Sequence, residues 1–261
     1  MSTMPLALRD STTMVRRQIK HMRRYPSLTL QLLGTPVVFL LLFVYVFGAT
    51  LGDGLGSGSG GRGEYVDYVT PGIMLMAVAA VAMGTAISVA MDMTEGIVAR
   101  FRTMAIARVS VLTGHVVGAM AQTFLAVAVV VAVALAIGFR PDASVVEWIA
   151  AAGVLGLLAF ALTWLTVALG LAAKTVESAS NTPQPLMFLP FLGSGFVPTD
   201  SMPVGLRWFA EYQPFTPVIE TLRGLLLGTG IGASGIAAVA WSAGIALIGY
   251  LWARKLYNRQ N

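Results

Sequence analysis

No cysteine occurs among the 261 residues, which removes disulfides, cysteine-ligated metal and thiol nucleophiles together. Histidine is nearly as scarce. With His21 and His115 alone, little is left for a metal cluster or for the Ser-His and acid-base pairs that intramembrane proteases and lipid transferases need. Charge is the third shortage: Asp, Glu, Lys and Arg make up 11% of the chain, against roughly 25% in ordinary soluble domains, so a water-soluble fold is nearly excluded. A phosphate-binding loop is also missing. The stretch nearest to GxxxxGK[ST] is Gly-Leu-Ala-Ala-Lys-Thr at 170–175, which lacks the glycine before the lysine and ends an apolar run instead of following a strand. ATP hydrolysis, if this chain depends on it, must come from another chain.

What is present is apolar sequence. Hydrophobic residues are 56% of the chain and the mean hydropathy is +0.77. Runs long enough for spanning helices, which need roughly 20 residues, occupy about residues 30–51, 68–91, 109–138, 148–173, 178–197 and 231–253. The expected class is therefore an all-α polytopic membrane protein. The third run is long enough to extend beyond the bilayer, and the fifth is short and interrupted by Pro183, Pro185, Pro190, Gly193 and Gly195. The first run begins too late for a cleaved secretory signal and reads as an uncleaved first span.

The net charge of +5 follows topology rather than nucleic acid, because the basic residues flank apolar runs and form no single stripe. With six spans and both termini in the cytoplasm, thirteen of the seventeen Lys and Arg fall inside: Arg9, Arg16, Arg17, Lys20, Arg23, Arg24, Arg100, Arg102, Arg108, Lys174, Arg254, Lys255 and Arg259. Arg62, Arg140, Arg207 and Arg223 fall outside. A non-crossing fifth run changes the division only to twelve against five, so charge orients the first four spans without deciding between five and six. Residues 1–27 read as a basic amphipathic helix in the interface, with a disordered basic tail as the alternative. Residues 52–63 read as a flexible Gly/Ser loop. In 198–230, Thr216-Pro217 reads as the start of a short helix ended by Gly228, and the segment is too apolar for an ordinary loop. It suggests two short helices dipping into the outer leaflet.

Proton-coupled carriers keep acids or histidines inside their spans, and the cores of the first, second, fourth and sixth runs hold no Asp, Glu, Lys or Arg. His115 in the third run lies on one helix face with Gly118 and Gln122. It has two readings: a structural residue near the cytoplasmic end, or a substrate or proton site. Met74 and Met76 read as packing residues or as part of a pliable greasy path, with Gln122 on the same weak list.

Two segments carry a family resemblance. DMTEGIVARFRTMAIAR over 92–108, and GFVPTDSMPVGLRWFAEYQPFTPVIETLRGLLLG over 195–228, resemble the corresponding stretches of ABC-2 type export permeases, in particular the daunorubicin/doxorubicin-resistance group. The resemblance covers nearly the whole chain in order and length. It implies six spans in a single transmembrane domain over 1–261, a cytoplasmic connecting helix at 1–27, a coupling loop at 92–108 and re-entrant helices at 198–230. It also implies two permease subunits, the second a copy or a paralogue, joined to two ATPase subunits that bind ATP and Mg, with no cofactor on this chain. By the same resemblance Glu95, Gly96, Arg100, Phe101, Arg102 and Arg108 meet the ATPase, and the location is a bacterial cytoplasmic membrane. His115 departs from the family, whose members often carry a basic residue there. Phe196, Trp208, Phe215, Glu220 and Arg223 are the candidates for an outer gate. The apolar path suits an amphipathic drug, natural product or lipid. A non-transporting anchor or sensor and a secondary drug carrier are the rival functions.

Overall fold

One helix, Arg62–Thr94, is the axis on which most of the others pack: its run of Ala, Val, Met and Gly is buried along most of its length. The computed structural model describes residues 26–55, 61–94 and 108–259, with the side chains of 26–31, 108–111 and 259 excepted. The expected connecting helix at 1–27, and Glu95, Gly96, Arg100, Phe101 and Arg102 with the rest of 95–107, lie outside the described residues.

In chain order, α1 (Pro26–Leu42) passes through a π turn (Phe43–Phe47) into α2 (Gly48–Asp53). The axis is α3 (Arg62–Thr94), followed by α4 (Arg108–Ile137) and α5 (Val145–Ala172). Short helices α6 (Val176–Asn181), α7 (Pro185–Phe188), α8 (Val204–Tyr212) and α9 (Phe215–Leu227) precede the last, α10 (Ser234–Arg259). Among the described residues all regular structure is helical. Among the described residues, five helices are long and apolar enough to cross a bilayer: Leu32–Asp53, Arg62–Thr94, Leu112–Ile137, Val145–Ala172 and Ser234–Asn258.

The expected fifth span is the exception. Residues 178–197 form no continuous helix, because the prolines at 183, 185 and 190 supply no backbone N–H. The chain winds on through tighter turns instead, with the N–H groups of Leu186, Met187 and Phe191 bonding to carbonyls three residues back. It nonetheless climbs the axis. A Cβ on Gly170 would lie 2.6 Å from the Ala86 carbonyl oxygen and 3.0 Å from Val89 Cβ, and one on Gly195 would lie 3.3 Å from Gly72 Cα. Val89 and Gly72 are about 25 Å apart along α3 at 1.5 Å per residue, close to the roughly 30 Å of a hydrocarbon core.

Small residues set the close crossings, as expected where lipid supplies no hydrophobic drive between helices. On α10, a Cβ on Gly249 would lie 2.6 Å from the Leu165 amide nitrogen of α5, and Tyr250 meets Trp164 edge-on at 5.0 Å. Gly170 of the near-match to a phosphate loop is thus a packing glycine against α3. Hydroxyls inside the spans bond their own helix: Thr70, Thr85 and Thr166 donate to the carbonyls of Val66, Val81 and Leu162. The outward faces of α1, the π turn and α10 carry exposed Val38, Val46, Ile236, Leu247, Ile248 and Leu251, a surface suited to lipid.

Helix ends are set by local chemistry. Gly228 ends α9 as expected, with φ at 69°. The start differs: α9 begins at Phe215 after Pro214, and the Thr216 hydroxyl donates to the Ala210 carbonyl, tying α9 to α8 instead of capping. Helix α5 opens with a capping box, in which the Ser144 hydroxyl accepts from the Glu147 N–H and the Glu147 carboxylate accepts from the Ser144 N–H at 2.6 Å. Ser144→Ala should cost about 1 kcal/mol and Ser144→Thr, which keeps the hydroxyl, much less. Thermal unfolding of the purified variants checks this, and equal melting of all three would reject the cap.

Candidate functional site

Two polar clusters stand out against the apolar bundle, one at each end of α3. At the Arg62 end the centre is Arg223 of α9, only 9% exposed. Helix α9 turns it inward because ten other residues of this thirteen-residue helix are also buried. Its guanidinium lies over the Tyr68 ring, 3.9 Å from the centroid. It donates to Glu220 Oε1 at 2.8 Å, to the Tyr68 carbonyl at 3.1 Å and to the Ser194 carbonyl at 2.8 Å. One side chain therefore ties α9, α3 and the broken segment together. Nε and the Ser194 hydroxyl have no partner among the described residues.

Beside it runs a ladder of phenylalanines. Phe191 and Phe196 stack at 4.2 Å with planes 4° apart, and Phe43 approaches Phe196 at 4.5 Å. Phe39 meets Phe191 edge-on at 5.8 Å. The π turn in the first span widens the helix where Phe43 points at this stack. Tyr65 of α3 closes the arrangement by donating to the Phe196 carbonyl at 3.2 Å. Of the expected gate residues, the structure pairs Glu220 with Arg223 and sets Phe196 in the phenylalanine stack. Phe215 is fully buried at the start of α9. Trp208 stands 67% exposed on α8, against Tyr212 at 5.6 Å.

Helix α8 is otherwise a surface helix, with Val204, Leu206 and Phe209 exposed. Its Arg207 pairs with Glu211 one turn on and with Asp200. The hydrogen bond to Glu211, then the charge of Asp200, push the Arg207 guanidinium above its ordinary value.

At the Thr94 end the centre is a hydrogen-bonded pair. His115 Nε2 of α4 lies 3.0 Å from Asp92 Oδ2 of α3, with side chains 11% and 12% exposed. Apolar Val89, Leu112, Val116, Trp164, Leu171 and Tyr257 form the cluster at this end of the bundle. Of the two readings of His115, the structure adds a partner that the sequence reading lacked, since Asp92 stands one residue beyond the expected end of the second span. Gln122, two turns along α4, is buried, as are Met74 and Met76. Arg108 begins α4, with its side chain outside the described residues. The signals passed over were Asp92 at a span boundary, the tyrosines Tyr65 and Tyr68 at the opposite boundary, and the aromatic repeat Phe39, Phe43 and Phe47.

The arrangement has no nucleophile poised against a base among the described residues. It joins apolar helices at two ends. Over 257 residues the chain is 27% identical to the daunorubicin resistance ABC transporter permease protein DrrB1 of Streptomyces coeruleorubidus, covering 98% of this chain and 88% of that one. Over 215 residues it is 26% identical to the probable doxorubicin resistance ABC transporter permease protein DrrC of Mycobacterium tuberculosis, covering 81% and 76%. With the ABC-2 type transporter profile also matching residues 10–227, across all but the last of the long helices, this chain belongs to the ABC-2 type transporter family.

Proposed function

We propose that the chain is the permease subunit of an ATP-driven exporter, moving amphipathic or hydrophobic compounds out of a bacterial cell across the cytoplasmic membrane. The observation that carries this reading is a bundle of apolar helices whose α3 and α4 are joined at one end by the basic 95–107 segment, in a chain of this family. In this reading the Thr94 end of α3 is cytoplasmic and the Arg62 end faces outward. The climb of 173–196 along α3 supports a sixth crossing, which places both termini in the cytoplasm. Helices α8 and α9 are then the re-entrant pair on the outer side.

Two copies of the permease, or one with a paralogue, assemble with two ATPase subunits that hold ATP and Mg. Nucleotide-driven closure of the ATPase pushes on 92–108 and on the basic N-terminal helix, the spans tilt, and the cargo leaves past the outer cluster. Arg100 and Arg102 pair there with acids of the ATPase, and Phe101 fills a pocket between them. The relatives carry daunorubicin and doxorubicin resistance in their names, so polycyclic amphipathic drugs are the first cargo to test.

The test is co-purification with the cognate ATPase, reconstitution, and measurement of both hydrolysis and vesicle export. Reversing Arg100 and Arg102 together to Glu should leave hydrolysis running and reduce export about 10-fold or more, the scale of a typical coupling free energy. Unchanged export would sink the coupling assignment. Export that collapses with an uncoupler but survives ATP depletion would favour a secondary carrier instead.

A further inference from the structure

We propose that the Arg254–Lys255 end of α10 binds an anionic phospholipid of the cytoplasmic leaflet, with the headgroup on the two cations and the acyl chains along the apolar face of the helix beside them. This rests on the exporter reading in one respect, that the Thr94 end of the bundle is the cytoplasmic one.

The two faces of α10 differ. One packs: Gly249 backs onto Leu165 of α5, and Ala253 and Tyr257 lie in the apolar cluster with Trp164 and Leu171. The other leaves Leu247, Ile248 and Leu251 exposed, and at about 3.6 residues per turn Arg254 and Lys255 continue that same face one turn further on. Both cations are exposed. Counted from Ser234, where the helix begins, the roughly 20 residues that cross a hydrocarbon core end at Ala253. Arg254 and Lys255 therefore fall at headgroup level. Trp252, exposed beside them, is the residue type that collects there.

The fold treats its cations differently at the two ends. At the Arg62 end each is engaged within the chain. Arg62 lies over the Tyr45 ring at 5.0 Å, Arg140 donates to the carbonyls of Leu135 and Phe139, Arg207 pairs with Asp200 and Glu211, and Arg223 pairs with Glu220. At the Thr94 end Lys174, Arg254 and Lys255 are exposed and have no hydrogen bond or ion pair among the described residues. Topology requires only that such charges stay inside. It does not require two of them on the side of α10 that carries the exposed apolar run. That continuity, together with charge complementarity, identifies the occupant: acyl chains lie against Leu247, Ile248 and Leu251, and a phosphate comes within reach of Arg254 and Lys255. An ATPase surface would match the charges and not the apolar residues, which stand at hydrocarbon depth. Each cation close to the membrane surface strengthens the attraction of anionic lipid about fivefold.

The experiment uses the full permease in phosphatidylcholine vesicles doped with phosphatidylglycerol or phosphatidylcholine brominated near the top of the acyl chain, since bromine quenches a neighbouring tryptophan. Each protein is measured with and without Trp252→Phe, and the difference is the signal of Trp252. In the wild type phosphatidylglycerol should be preferred there by about fivefold or more, and the preference should shrink at high salt. R254Q/K255Q should bring it to within about twofold of none, and R254K/K255R should keep it. Equal quenching by the two lipids in the wild type overturns the site, as does a preference that survives R254Q/K255Q. Quenching by neither lipid means that protein covers this face, and overturns it too. If R254Q/K255Q does not fold, the single variants and the wild type at low and high salt decide. A double variant that loses the cognate ATPase and keeps the lipid preference assigns the cations to the ATPase and overturns the site. A permease that exports nothing and still shows the preference removes the exporter reading and leaves the lipid site standing.

Discussion

Arg223→Ala is expected to be among the most damaging single substitutions in the described part of this protein, lowering stability by about 1–3 kcal/mol, the scale of a buried polar group left unpaired. The guanidinium meets three separate pieces of chain at once. Its loss strands the Ser194 carbonyl in a buried region. It also removes a desolvated contact with the Tyr68 ring at 3.9 Å, which alone is worth up to about 2 kcal/mol. These contributions overlap and are not to be summed. Arg223→Lys keeps the charge and loses the planar fork that reaches two carbonyls and a carboxylate together, so it should fall between alanine and wild type. Glu220→Gln should cost well under 1 kcal/mol, because that carboxylate is 38% exposed and half-solvated pairs contribute little. Thermal unfolding in detergent, followed by size-exclusion chromatography, ranks the three. If Arg223→Ala melts within a degree of wild type, the guanidinium is not what joins α9, α3 and the broken segment.

Much of this architecture is legible in the residues, and the part that is not follows from how membrane sequences carry information. Five long apolar runs became five long helices, because insertion energy depends on hydropathy summed over some 20 residues, a sum that a single chain displays openly. The breaks at Pro183, Pro185 and Pro190 were equally plain, since a missing N–H is a local property. What they did to the chain was less plain. The segment neither crosses as a helix nor forms a surface loop but continues up α3 in tight turns, a result decided by the contact of Gly195 with Gly72. Pairings were the least accessible. Asp92 reads alone as an acid at the edge of a span, and His115 as a lone histidine inside one. Only the approach of α3 to α4 joins them. Arg223 counted in the charge tally as an outside positive residue, yet Tyr68, 155 residues away, accepts its hydrogen bond. Helix α8 was foreseen only as one of two short helices, and the exposure of Trp208 on it was not legible, because exposure depends on which face its neighbours leave uncovered.

The same physics distinguishes three glycines on α3 that the sequence presents as equals, and here the second large effect is expected. A Cβ on Gly72 would stand 2.6 Å from the Gly195 carbonyl oxygen and 2.8 Å from Gly195 Cα. Both are backbone atoms of a segment that is itself closed in, since a Cβ on Gly195 would meet the Pro190 carbonyl oxygen at 2.7 Å and Ile219 Cδ1 at 3.3 Å. Nothing there rotates away. Gly72→Ala must push the broken segment off the axis and with it the Ser194 carbonyl that holds Arg223, and overpacking of that kind costs about 1–3 kcal/mol or more. At Gly84 the added methyl would meet only Leu32 side-chain carbons, the nearer at 3.2 Å. A leucine end can turn, and the gain in helix propensity of up to about 1 kcal/mol offsets the crowding, leaving Gly84→Ala near neutral. At Gly63 nothing lies within 4 Å, so alanine there should be harmless or slightly stabilising. Equal melting temperatures for the three alanine variants would mean that α3 and the broken segment do not approach backbone to backbone. A large drop at Gly72 alone fixes that crossing as the point where the climbing chain is held against the axis, directly beside the Arg223 contact at the Arg62 end of α3.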